Sequence, residues 1–235
     1  MRVLLSTIGS RGDVQPLVAL ALELKAIGQE VRVCVPPDFH DWVEQLGIPV
    51  TPIGPELRSA AKPTLSATPL TTERRRQMME DTVRTQFETI AGAAHHCDFL
   101  VGATALQIAA PSIAQWMGIP YVFVTYCPAI LSSSRHAPPV LAMFGDTPAA
   151  VKVDYSELWA QDAQRWNDMW SQLINSQREL LGLPPVSDVR SYVLTDRPWL
   201  AAERALGAVA RTRGLGCVSD RRLDSSRRTS TGPGA

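Results

Sequence analysis

The first 53 residues alternate between short apolar runs and amphipathic segments, and this alternation limits the fold more than any other feature of the sequence. Residues 3–8 form an apolar, β-rich run that stops at Gly9, and the next segment carries apolar residues at helical spacing up to Gly28. Strand, helix, strand, helix, strand in so short a stretch predicts a doubly wound, parallel α/β sheet. The predicted strands are residues 3–8, 31–35 and 48–53, and the predicted helices are residues 14–27 and 41–46.

The alternation continues further along the chain, but two long segments interrupt it. Residues 54–71 and 127–150 contain many Pro, Ser and Ala residues and show no periodicity. Connections of this length are uncommon in compact domains and are often binding elements, although variable surface loops explain the composition equally well. The remaining predicted strands are residues 98–101 and 119–124, and the remaining predicted helices are residues 72–94, 106–117 and 155–181.

Three tryptophans mark the last predicted helix. Trp159, Trp166 and Trp170 recur at spacings that place them on one side of a helix. This pattern predicts a buried helix face more strongly than an aromatic platform for a ligand.

The overall composition limits the partners and the compartment that we expect. The formal net charge is zero, which gives no reason to expect nucleic acid or an anionic membrane as a partner. No uninterrupted apolar stretch approaches the roughly 20 residues that span a bilayer, so we expect a cytoplasmic protein without stable membrane insertion. The four cysteines lie far apart, with no neighbouring His at metal-ligand spacing, and are predicted to be buried free thiols.

The last 33 residues differ in composition from the rest of the chain. Residues 203–235 contain seven arginines and three acidic residues and have no periodicity. We therefore divide the chain into a domain of residues 1–202 and a tail of residues 203–235, which is either disordered or read in a shifted frame. One permitted set of codons for residues 220–233, read one base later, encodes a different and less arginine-rich sequence. The nucleotide sequence after codon 202 tests the frameshift hypothesis.

The segment of residues 9–16, Gly-Ser-Arg-Gly-Asp-Val-Gln-Pro, follows the first predicted strand. Ligands of open parallel sheets bind outside the carboxyl ends of the strands, so this loop is a candidate site. It lacks the G-x-G-x-x-G spacing of dinucleotide-binding loops. Asp13 has two possible roles here: as an N-cap it would accept hydrogen bonds from the first amides of the following helix, and as a general base it would face a ligand. Sequence chemistry alone favours the cap.

Three segments resemble one family, the glycopeptide-antibiotic glycosyltransferases of the vancomycin and teicoplanin type. They are residues 9–16, residues 175–186 with Asn-Ser-Gln-Arg and Leu-Gly-Leu-Pro-Pro-Val, and residues 195–202 with Thr-Asp-Arg-Pro-Trp-Leu-Ala-Ala. Their order and spacing are similar to the family's acceptor-binding N-terminal domain over residues 1–202. The shifted reading of the tail is similar to the linker that follows that domain.

The resemblance implies a GT-B architecture, in which two Rossmann-like domains face each other across a cleft. It implies that the N-terminal domain binds a glycopeptide-like aglycone and that the C-terminal domain binds a UDP- or dTDP-sugar, without a metal or other cofactor. Asp13 matches the family's general base in an inverting sugar transfer, which reverses the preference for the cap. Ser10 matches a position near the donor diphosphate, and its neighbours Arg11 and Gly12 are further predicted substrate-binding residues.

Because the chain does not continue recognisably into a donor domain after residue 202, the resemblance leaves three hypotheses open. The chain is a truncated hexosyltransferase that is inactive alone or is the acceptor subunit of an enzyme with a separate donor chain. Alternatively, it is a non-catalytic module that binds the aglycone. The third hypothesis is a broken gene product without a role.

Overall fold

The computed structural model describes residues 1–57, 71–139 and 154–202 as helices, strands and connecting segments around one parallel sheet. The strands are β1 (Arg2–Thr7), β2 (Glu30–Val35), β3 (Val50–Pro52), β4 (Phe99–Ala103), β5 (Tyr121–Thr125) and β6 (Trp199–Leu200). The helices are α1 (Arg11–Ala26), α2 (His40–Glu44), α3 (Thr72–Ala93), α4 (Ala110–Met117), α5 (Tyr155–Leu180) and α6 (Val189–Leu194). Short 3₁₀ turns cover Pro37–Phe39 and Pro128–Ile130.

All six strands are parallel, in the order β3-β2-β1-β4-β5-β6, which confirms the predicted doubly wound sheet. The chain runs outward from β1 to β3 and then returns to place β4 on the other side of β1. This reversal makes the gap between β1 and β4 the switch point, where ligands of such sheets bind. The register pairs Thr7 with Ala103 and Ala103 with Val124, so the carboxyl ends of β1, β4 and β5 lie level.

The two faces of the sheet carry separate apolar cores because side chains alternate along each strand. On the α1 face, Val3 and Leu5 of β1 pack with Val14 and Leu17 of α1. On the opposite α3 face, Leu4 packs with residues from α3, α4, α5 and α6. The predicted burial of the tryptophans is confirmed, since Trp159, Trp166 and Trp170 are 4–6% exposed.

Several predicted boundaries were wrong, and short elements near the carboxyl end were missed. Helix α1 begins at Arg11 and not at Val14, because Ser10 is extended and serves as the N-cap. Helix α4 begins only at Ala110, with a proline in its first turn, where proline is tolerated. Helix α6 and strand β6 are too short to produce a periodic signal. Residues 58–70 of the predicted loop 54–71, residues 140–150 of the predicted loop 127–150, and the tail at residues 203–235 lie outside the described residues.

The prediction of buried thiols is correct for two of the three described cysteines. Cys34 and Cys97 are buried, whereas Cys127 is exposed because it follows β5 at the edge of the sheet. Burial raises the pKa of the Cys34 thiol to about 12, because the thiolate would lose its hydration. Within residues 1–57, 71–139 and 154–202 the structure contains no helix that could cross a membrane.

Candidate active site

Asp13 lies in the first turn of α1, immediately outside the carboxyl end of β1. Its Oδ2 atom accepts hydrogen bonds from the backbone N–H of Ser10 at 2.7 Å and from the Ser10 hydroxyl at 3.1 Å. The Asp13 side chain is half-buried, and the helix N-terminus beside it favours a negative charge. Two residues predicted from the sequence to share the site are therefore in direct contact.

This geometry corrects the N-cap interpretation of Asp13. Ser10 occupies the N-cap position, and Asp13 is the third helical residue, whose carboxylate reaches back to the cap. Only Oδ2 makes these bonds, and within the described part of the chain Asp13 Oδ1 makes no hydrogen bond to a side chain or to the backbone. One carboxylate can therefore stabilise the helix terminus through one oxygen and present the other to a ligand.

Gly9 makes room for this carboxylate. A Cβ atom at Gly9 would lie 2.3 Å from Asp13 Oδ2 and 2.6 Å from its Cγ, well inside van der Waals contact. At Gly12, in contrast, the nearest atom to a Cβ would be the Ser10 hydroxyl oxygen at 3.6 Å. The two glycines therefore have different roles. The missing side chain of Gly9 leaves room for Asp13 to bend back to Ser10, whereas a side chain at Gly12 would not collide with Asp13.

We expect Gly9→Ala to destabilise the protein by about 1–2 kcal/mol, because the new methyl group displaces Asp13 from Ser10 and removes the capping interaction. Gly12→Ala is the matched control and should be neutral or stabilising by up to about 1 kcal/mol, since alanine is the better helix former. Urea unfolding of both variants measures the difference. Equal stability of the two variants would contradict the steric role of Gly9.

The other two predicted substrate-binding residues are both exposed on α1. The guanidinium of Arg11 stacks over the ring of Trp42, 5.6 Å from its centroid, and Arg11 Nε donates to Gln15 Oε1 at 3.2 Å. Gly12 is exposed and makes no close approach to another element. In this structure Ser10 shares the site with Asp13, whereas Arg11 is held against α2.

Thr104, directly after β4, adopts a left-handed backbone conformation with φ of 70°. This conformation is unfavourable for a β-branched residue and persists only where surrounding contacts enforce it. The Thr104 N–H donates to the carbonyl of Val124 at 3.0 Å, which fixes the turn at the carboxyl edge beside β1. The sequence did not predict this conformation, because threonine has no preference for a positive φ.

Tyr126 follows β5 and continues the alternation of Val122 and Val124 on the α1 face. Its hydroxyl oxygen is buried and has no hydrogen-bond partner among the described residues. Burial and, secondarily, the negative charge of Asp13 raise the pKa of Tyr126. Tyr126 therefore lies on the same face of the sheet as α1, the helix that carries Asp13.

The connection that follows β5 is fixed to α5 and α6 by a buried polar cluster. Trp159 Nε1 donates to the carbonyls of Ser133 and His136, at 2.9 and 3.0 Å. Arg190 Nε donates to Asp162 Oδ2 at 2.7 Å, and the same guanidinium donates to the carbonyl of Ile130 at 2.6 Å. These contacts fix residues 130–136, which belong to the first part of the predicted loop 127–150.

No group of three or more potential metal ligands (His, Cys, Asp or Glu) occurs in the described part of the chain. The site is instead built from one carboxylate, hydroxyl groups and backbone amides at the switch point. Such a constellation can accept a proton from a bound hydroxyl group.

Comparison with known proteins identifies the family. Residues 3–133 match the glycosyltransferase family 28 N-terminal domain. The chain is 42% identical over 214 residues to the glycosyltransferase GtfE of Amycolatopsis orientalis, which covers 90% of this chain and 51% of that protein. It is 39% identical, with the same coverage, to the vancomycin aglycone glucosyltransferase of Amycolatopsis orientalis.

Solved structures agree on the fold. The glycosyltransferase of kitacinnamycin superposes with a TM-score of 0.60 at 16% identity, covering 100% of this chain and 55% of that one. The calicheamicin glycosyltransferase CalG4 superposes with a TM-score of 0.59 at 18% identity, covering 93% of this chain and 52% of that one. Each match places the sheet described above in the N-terminal half of a GT-B fold.

The chain spans about half the length of the curated relatives that it matches. The family match covers more than half of the chain itself and includes β2 to β5 and all of β1 except its first residue. The resemblance to the glycopeptide glycosyltransferases is thereby confirmed, and the chain belongs to glycosyltransferase family 28, whose N-terminal domain it carries.

Proposed function

We propose that this chain is the acceptor-binding half of an inverting hexosyltransferase, in which Asp13 is the general base. The observation that carries the proposal is the Asp13 carboxylate at the switch point, held by Ser10 through Oδ2 while Oδ1 is not engaged by the described residues. Similarity to an enzyme named for the vancomycin aglycone supports a glycopeptide-like acceptor.

In the proposed reaction the acceptor hydroxyl oxygen forms a bond to the anomeric carbon as the nucleoside diphosphate leaves with the electron pair of the broken bond. Asp13 accepts the hydroxyl proton as that bond forms. A carboxylate is a weak base for an alcohol, so proton transfer has to coincide with attack, when the oxygen becomes acidic. Attack from the face opposite the leaving group inverts the anomeric configuration.

The donor is a UDP- or dTDP-sugar, which a second, donor-binding half would hold. A relative of Amycolatopsis orientalis, 32% identical to this chain, is named a dTDP-epi-vancosaminyltransferase, which supports a nucleotide-sugar donor. Correct placement of two reactants accounts for a large part of enzymatic rate enhancement. We therefore expect this chain alone to bind the aglycone without transferring a sugar to it.

A domain exchange tests the proposal. Residues 1–202 replace the corresponding half of the vancomycin aglycone glucosyltransferase of Amycolatopsis orientalis, and the fusion protein is incubated with vancomycin aglycone and UDP-glucose. Mass spectrometry should detect aglycone carrying one added hexose, whereas the unfused chain should bind aglycone, measured by tryptophan fluorescence, without forming product. A folded fusion protein that binds aglycone but forms no product would favour the non-catalytic module.

A further inference from the structure

A groove lies at the amino-terminal edge of the sheet, at the opposite end of the strands from Asp13. It is lined by the first residues of β1 and β2, the last turn of α1, and the residues just before β3 and β4. Its volume is about 360 Å³, near the lower end of the roughly 300–1,000 Å³ of small-molecule sites. Helix α1 has 16 residues, so about 24 Å separates its last turn from Ser10 and Asp13 at its start. The groove therefore takes no part in the sugar transfer proposed above.

Positive charges outnumber negative ones in the lining of this groove. Arg2, Lys25 and Arg32 are cationic and Glu30 is the acid among the lining residues, so three positive charges less one give a net charge of +2. Asp98, beside the groove, is already engaged, because its Oδ2 atom accepts a hydrogen bond from the backbone N–H of Arg2 at 2.7 Å. The lining therefore favours a ligand with more than one negative charge.

The two arginines lie close together and have donors to spare. Parallel pairing sets Arg2 beside Glu30 and Leu4 beside Arg32, which makes the two arginines diagonal neighbours on one face of the sheet. With strands about 4.8 Å apart and a rise of about 3.3 Å per residue, their Cα atoms are about 8 Å apart. Both side chains are exposed, and among the residues that the structure describes neither guanidinium has a hydrogen bond or an ion pair. One small ligand can therefore reach both.

We propose that this groove binds a phosphate monoester, with Arg2 and Arg32 donating hydrogen bonds to the phosphate oxygens. A guanidinium presents its donors in a planar fork that matches two oxygens of a phosphate. A phosphate ester carries up to two negative charges at neutral pH, which balance the net charge of the lining. The groove has the volume of about twelve water molecules, more than a phosphate group fills. The organic group of the ester then lies against Val3, Val31 and Pro49.

An NMR titration of the nitrogen-15-labelled full chain with phenyl phosphate tests the site, at pH 8 so that the phosphate carries both charges. Amide resonances of Val3, Val31 and Cys97 should shift with one common Kd, whereas those of Ser10 and Asp13, at the far end of α1, should stay unchanged over the same range. Phenyl sulfate is the matched ligand, because it has the same shape and one negative charge. It should bind at least about fivefold more weakly. Inorganic phosphate, which lacks the ring, should also bind more weakly than phenyl phosphate.

Charge-matched variants separate a local site from the overall charge of the chain. Arg2→Gln with Arg32→Gln should weaken phenyl phosphate binding at least about tenfold, since two charged donors are lost. Arg76→Gln with Arg84→Gln removes the same charge from α3, where both arginines are exposed and paired with acids, and should change the Kd less than about twofold. Glu30→Gln should strengthen binding about threefold, because an acid of the lining is removed. A gain in affinity cannot come from misfolding.

Equal weakening by the two double variants, or a Glu30→Gln chain that binds phenyl phosphate no more tightly than the unaltered chain, would overturn the site. Equal affinities for phenyl phosphate and phenyl sulfate would overturn the match between a dianion and the lining. Inorganic phosphate that binds as tightly as phenyl phosphate would overturn the ester and give the groove to the free ion.

Discussion

Asp13→Asn should lower the kcat for sugar transfer by about 10²–10⁴-fold in the fusion protein that carries a donor half. Asparagine has the same shape, and its amide oxygen can still accept the hydrogen bonds that Ser10 donates to Asp13 Oδ2. The helix terminus is thereby preserved, and only the ability to accept a proton is lost. Initial rates at saturating aglycone and donor measure the effect.

Asp41→Asn is the control, because Asp41 is a fully exposed acid on α2 that forms no part of the site. It should leave kcat within about twofold, as expected for a surface substitution. Urea unfolding of the Asp13 variant should confirm that the fold is retained. If the Asp13→Asn protein is stable and keeps more than about a tenth of the activity, Asp13 is not the general base, because a positioned general base raises the rate by at least about a hundredfold.

Asp162→Ala should destabilise the domain by about 3–5 kcal/mol, the largest effect on stability that we expect from one substitution. The Asp162 side chain is 5% exposed and pairs with Arg190, whose side chain is 9% exposed and also stacks on Trp159. Without the carboxylate, Arg190 remains buried as a cation without its anion, which is more costly than losing the pair. Urea unfolding monitored by far-UV circular dichroism gives the free energy.

Two comparisons make this prediction specific. Asp168→Ala, an exposed position on the same helix, should change the stability by no more than about 0.5 kcal/mol. The double variant Asp162→Leu with Arg190→Met should recover part of the loss, because an apolar pair replaces the two buried charges, whereas Arg165, which also pairs with Asp162, is 31% exposed and can be hydrated. A double variant as unstable as Asp162→Ala would show that the loss of stability comes from altered packing and not from the unpaired charge of Arg190.

The long elements of the fold could be predicted because their signals are local. Residues 72–94 and 155–181 carry a helical period over many turns, and the observed α3 and α5 end within a residue or two of the predicted bounds. The first five strands of the parallel sheet are short apolar runs, and each was predicted to within two residues at either end. Helix α6, only six residues long, gave no such signal.

The position of Asp13 at the edge of the sheet could also be predicted, because a residue just after the first strand of a βαβ unit has to lie there. The separate roles of its two carboxylate oxygens could not be predicted. Which oxygen bonds Ser10 depends on where the helix begins, and the missing side chain of Gly9 allows the carboxylate to bend back. Residue identity suggested an N-cap, a position that the structure gives to Ser10, and family resemblance suggested a base, a role with which the geometry of Asp13 is compatible.

The sequence by itself determined the strand–helix alternation, the parallel sheet and the placement of one acidic loop at its carboxyl edge, because these follow from periodicities within a few residues. Only the tertiary structure decided that Tyr126 packs on the α1 face, that Thr104 is held with a positive φ, and that Asp162 pairs with Arg190. Contacts of this kind join residues far apart in the chain. They depend on strand order and register, which no local pattern encodes.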